Sequence, residues 1–120
     1  MTFLQSACAP TVRFGAILAA AFCFGACKPQ QNGTPEDDAV RQGRSVYILH
    51  CTACHNSGDP GKDGTLGPAI KGSSLELLQA RILRGEYPAG YTPKRATHIM
   101  PKLPLTDDDI RHLHAFLNAP

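Results

Sequence analysis

Four apolar stretches divide the chain, and they differ in period. The first is continuous: residues 14–26 (FGAILAAAFCFGA) carry no charge and follow a single basic residue, Arg13. Thirteen residues are too few for a bilayer core, which needs roughly 17–25. A charge, a short apolar run and small residues at its end read as a secretory signal over residues 1–26. The other three stretches are periodic. Val40, Gly43, Val46, Tyr47 and Leu49 recur at helical spacing. They follow a Thr34 cap, a proline fit for the first helical position and three acids that suit the positive end of the helix dipole. That helix is predicted to run into Cys51. Leu75, Leu78 and Ile82 share one face of a predicted helix over 75–84, with Ser73 and Glu76 as a capping box and Gly85 as its stop. Ile110, Leu113 and Leu117 form the stripe of a last helix over 107–118. Thr106 caps it, Asp109 closes the box, and Leu105 staples to Ile110. No useful alternating pattern appears, so the reading is all-α and rich in loops.

Between signal and domain, residues 27–35 form a polar linker without periodicity. Phe24-Gly25-Ala26-Cys27 resembles a bacterial lipobox, in which the cysteine is lipidated and becomes the first mature residue. If so, Cys27 would anchor the protein to a membrane. The domain, residues 36–120, has only three helices with which to build a core, and domains this small are marginal without a staple or cofactor. Two long irregular stretches, residues 56–72 and 85–104, need an explanation in so small a fold. A large apolar ligand with the loops wrapped around it supplies one.

Charge changes the picture little. The chain has 12 Lys and Arg against 10 Asp and Glu, and loss of the signal removes only Arg13. With no polybasic run, nucleic acid is not expected as a partner. Cysteine usage changes it a great deal. Cys8 and Cys23 fall within the signal, leaving Cys27 and the run Cys51-Thr52-Ala53-Cys54-His55. Two thiols at i and i+3 can add to the two vinyl groups of haem, which sets the adjacent imidazole under the iron. A thioredoxin-like pair would need a βαβ context, which is missing. A structural zinc site needs four ligands and usually a second paired motif; a set made of Cys51, Cys54 and two histidines stays open on the sequence alone.

With Gly43 and Tyr47 ahead of this motif, Gly67-Pro68 after it, Met100-Pro101, and a last helix ending in Phe116-Leu117, the chain resembles a bacterial class I cytochrome c from about Asp37 to Leu117. The resemblance implies an all-α bundle of about three main helices, with long loops wrapped around one covalently attached haem c. It implies that the first and last helices cross closely, at positions matching Gly43 and Phe116. It also implies that the Pro68 carbonyl accepts the free ring N–H of the proximal His55. Tyr91 and Arg95 are read as donors to the haem propionates.

For the sixth iron ligand the residues offer two candidates. Met100 is the only methionine beyond Met1, lies 45 residues after His55, and sits in a loop stiffened by Pro88, Pro93, Pro101 and Pro104. A thioether is a soft neutral ligand, and His/Met ligation raises the haem potential. His98, two residues earlier, is the rival. His50 at the end of the first helix is read as a surface residue, and His112 and His114, two apart, cannot share a helix face. The expected function is one-electron transfer outside the cytoplasm, in the periplasm, between redox partner proteins, without catalysis. The alternatives are an electron-accepting subunit of a periplasmic dehydrogenase or oxidase complex, and a haem sensor or peroxidase with an open sixth site. Lys62, Lys71, Lys94, Arg95 and Lys102 are read as a basic rim that steers an acidic partner.

Overall fold

A computed structural model of the chain describes residues 33–97 and 99–120. The signal, Cys27, most of the linker and His98 lie outside the described residues. Helix α1, Pro35–His50, starts as its sequence dictates. The Thr34 hydroxyl accepts from the Asp37 amide at 3.2 Å, and the Asp37 carboxylate accepts from the Thr34 amide at 3.0 Å. These bonds satisfy two amides that the first turn leaves without partners.

The second helical region departs from the expectation in two ways. Ser74, not Ser73, caps it by accepting from the Leu77 amide at 3.2 Å. The Ser73 hydroxyl instead donates to the Ile70 carbonyl at 2.7 Å, closing the turn through Gly72, whose φ is +77°. Either serine has the chemistry of a cap; the preceding turn decides which one stands at the helix start. The second departure is in register. Helix α2, Leu75–Leu78, passes directly into a π-helical segment, Gln79–Arg84, that ends at Gly85 with φ 77°. Its widened turn buries three consecutive residues, Ala80, Arg81 and Ile82. On a regular α-helix three such residues would spread over more than half of the circumference.

Helix α3, Asp107–Asn118, repeats the capping box of α1 with Thr106 and Asp109. Its Ile110, Leu113 and Leu117 are fully buried. They pack with Val46, Tyr47, Cys51, Leu78 and Ile82 as a single core. At roughly 1.5–3 kcal/mol for each large aliphatic side chain, this stripe is the main local source of stability.

Helices α1 and α3 touch at backbone level. A Cβ on Gly43 would run into the His112 carbonyl oxygen and lie 2.8 Å from Phe116 Cβ. Four residues on, the Tyr47 ring meets Phe116 with centroids 5.5 Å apart. Among the described residues no strand forms and no helix is long and apolar enough to cross a membrane.

Candidate functional site

The end of α1 turns the cysteine motif inward. Cys51 closes the helix by donating its amide to the Tyr47 carbonyl, and its own carbonyl accepts the amides of Cys54 at 3.1 Å and His55 at 2.9 Å. This tight turn puts Cys51, Cys54 and His55 on the wall of one cavity of about 600 Å³. Both thiols are free. Burial pushes the Cys51 thiol up to about 11, with Cys54 nearby adding to the shift. A thioredoxin-like pair needs a βαβ context, and no strand forms among the described residues. No group of three or more metal-binding side chains forms among the described residues.

His55 is held from two sides. It donates from Nδ1 to the Pro68 carbonyl at 2.7 Å, which leaves Nε2 as the ring's lone-pair nitrogen. Gly67 lies flat against the ring: a Cβ there would stand 2.5 Å from Cε1, 2.6 Å from Nδ1 and 2.9 Å from Nε2. The loop carrying Gly67 and Pro68 is itself pinned, since the amides of Leu66 and Gly67 both donate to the Cys54 carbonyl. The buried Tyr47 adds a hydroxyl bond to the Asn56 carbonyl, directly after the histidine.

The opposite loop supplies Met100 to the same cavity. Its carbonyl accepts from Arg81 at 2.8 Å, and three residues on the Leu103 amide donates to the Ile82 carbonyl at 3.0 Å. Tyr91 also lines the cavity, with its ring stacked on Tyr87 at 5.4 Å. Arg95 lines it too, but two of its N–H groups are engaged, with the Leu66 carbonyl at 3.0 Å and the Asp63 carboxylate at 2.8 Å. Lys94 donates to the Ala69 carbonyl at 2.8 Å.

Of the five cations read as a rim, Lys71, Lys94 and Arg95 border the cavity. Lys62 instead pairs with Asp59 at 3.5 Å, and Lys102 lays its stem over Gly85. His50 is exposed at the edge of the cavity, while His112 and His114 sit half-buried on α3. Arg81 and Tyr87 carry the wall of the Met100 loop and were not singled out by the sequence. The available signal was positional: Arg81 stands three residues after Leu78, on the face the stripe buries.

A family model described as Cytochrome c matches residues 40–119, well over half of the sequence. The chain belongs to the cytochrome c family. It accordingly carries covalently attached haem c with its iron, and the family places it in haem-based electron transfer. No curated protein matches the chain and no solved structure does. The residues present fit the group: an apolar-walled cavity in the size range of ligand sites, two free thiols three positions apart, and an imidazole oriented by a carbonyl.

Proposed function

We propose that this cytochrome c is an exported electron carrier, not an enzyme, with His55 and Met100 as axial ligands and Cys51 and Cys54 as the thioether attachments. The observation that carries the reading is that His55, its Nδ1 committed to Pro68, and Met100 stand on the walls of the same cavity as the two thiols. Haem bound there supplies a one-electron iron couple, and His/Met ligation biases it towards higher potential. The chain's own work is to hold geometry. The Pro68 carbonyl fixes the tautomer and plane of His55, and Gly67 excludes any side chain from the space the ring needs. The proline-bearing loop keeps the Met100 backbone stiff, so the sulfur need not be repositioned between oxidation states.

Tyr91 and the remaining donors of Arg95 are assigned to the propionates. Lys71, Lys94 and Arg95 present positive charge at the edge from which the electron leaves, suited to an acidic redox partner. The apolar side chains of Leu66 and Ile99, half or more exposed, stand beside them. The mature chain is assigned to the periplasm, held to a membrane by lipid on Cys27.

Replacing Met100 with alanine tests the ligand assignment. The weak sulfur-to-iron charge-transfer band of the oxidised protein should disappear, the potential should fall, and the reduced protein should bind carbon monoxide readily. Absence of that band from the unaltered protein, with a potential that changes in His98→Ala but not in Met100→Ala, would transfer the role to His98. Ready binding of carbon monoxide by the unaltered protein would instead favour a sensor or peroxidase.

A further inference from the structure

Arg81 is a buried cation without a carboxylate partner among the described residues. Its residue is 9% exposed, and the acids that make ion pairs make them with Arg41, Lys62, Arg84, Arg95 and Arg111. A charge taken out of water costs several kcal/mol unless strong polar contacts replace its hydration. Two carbonyls and a ring do so. One guanidinium nitrogen donates to Gly85 at 2.7 Å, the other to Met100 at 2.8 Å, and the group lies 4.9 Å from the centre of the Tyr87 ring.

The Gly85 bond is local and closes the end of the π-helical segment. The Met100 bond is different, because it spans 19 positions and holds the peptide of the residue assigned as sixth ligand. Met100 and Leu103 also pack against the core, but few hydrogen bonds hold that part of the loop. Among the described residues of 87–104, backbone amides bond to carbonyls only from Tyr91 to Pro88 and from Leu103 to Ile82. Prolines 88, 93, 101 and 104 have no N–H to offer. Within the π-helical segment Arg81 is buried beside Ile82, whose carbonyl takes the Leu103 amide.

We propose that Arg81 is the positioning residue of the sixth-ligand loop: its guanidinium latches the Met100 carbonyl to the π-helical segment and so keeps the methionine sulfur on the iron. The inference rests on Met100 being the ligand. A planar fork with donors on both sides can bracket two carbonyls at once, which a lysine ammonium on a flexible stem does poorly.

The test uses the haem-loaded protein with Arg81→Met, Arg81→Lys and Met100→Ala, and imidazole as the competing ligand for the oxidised iron. A hydrogen bond from a charged donor shifts an equilibrium by roughly ten- to a hundred-fold. Imidazole should therefore bind Arg81→Met tighter by about that factor, with amide exchange at Leu103 faster in parallel and Arg81→Lys in between. A lower Tm with imidazole affinity and Leu103 exchange unchanged makes Arg81 only a helix cap, and the latch is wrong. If the parent protein shows no sulfur band, the ligand assignment itself has failed; if the parent shows it, Met100→Ala loses it and Arg81→Met behaves as the parent, only the latch has. Should the Arg81 variants not fold, the parent protein decides. Its Arg81 guanidinium protons should exchange slowly and couple to the Met100 carbonyl carbon, and exchange as fast as that of an exposed arginine overturns the proposal.

Discussion

The two loops that face each other across the cavity are built by different means. The loop after His55 is held by its own backbone: amides of Lys62, Gly64, Leu66, Gly67, Ile70 and Lys71 all find carbonyls between Cys54 and Gly67. The loop carrying Met100 has few such bonds and is tied down by side chains, Arg81 from the π-helical segment at one end and its own Lys94 and Arg95 at the other. The first arrangement fixes a ring to within a narrow range, because these backbone bonds are joined by short local side chains, Asn56 accepting from the Gly58 and Asp59 amides, Asp59 from Gly61 and Asp63 from Ala69. The second concentrates its hold in a few contacts, any of which can be released singly. Local opening follows that kind of difference: ligand loss should begin on the methionine side.

The largest expected effect comes from removing what both loops enclose. Cys51→Ala with Cys54→Ala should leave no stable domain, because the helices alone bury too little. Protease resistance and circular dichroism of the variant check this, and a well-folded apoprotein would refute it. Next is Gly67→Ala, which attacks the backbone-built loop at its contact with the imidazole. Overpacking costs about 1–3 kcal/mol, and part of it should appear as a displaced His55 ring. Chemical denaturation reads the first, and the proton NMR shifts of the ring the second. An unshifted ring at parental stability would show that the loop yields more easily than its hydrogen bonds imply.

The smallest effect concerns the tie between the loops. The hydrogen bond from Arg95, followed by that from the Ala69 amide, holds the exposed Asp63 carboxyl below its ordinary value of 3.8. A lowered folded-state pKa stabilises the protein above the unfolded value, and that contribution is lost as pH falls through the folded one. The parent should therefore lose stability in acid, starting below about pH 4, and Arg95→Gln should flatten that part of the profile while changing little at neutral pH. Melting temperatures at stepped pH measure it. Identical acid limbs for the two proteins would mean that Asp63 contributes nothing through Arg95.

Legibility in the sequence follows the same division. Thr34 and Thr106 cap where expected because a capping box is complete within four residues. The cysteine motif and Gly67-Pro68 are likewise short and contiguous. Ser73 and Ser74 were confused because the choice between them is made by the turn before. The π-helical register went unseen because Leu78 and Ile82 fit a regular helix equally well. Arg81 is hidden for a stronger reason: besides the nearby Gly85 carbonyl and Tyr87 ring its partner is a carbonyl 19 residues away, and backbone carbonyls carry no sequence label. Arg95 reads in the sequence as a donor to the propionates, yet its bonds to Leu66 and Asp63, across 29 and 32 positions, are equally invisible there.

The backbone contact between Gly43 and His112 also orders events in time. It joins the first helix of the domain to the last, so α1 lacks its main partner until nearly the whole domain is available to fold. Contacts so distant in sequence form late, because the intervening loop must be closed before they repay its entropy. Until then the turn at Cys51 rests on its local backbone bonds alone. The core around the cysteine motif is thus completed only when the last helix, twelve residues long, docks on Gly43.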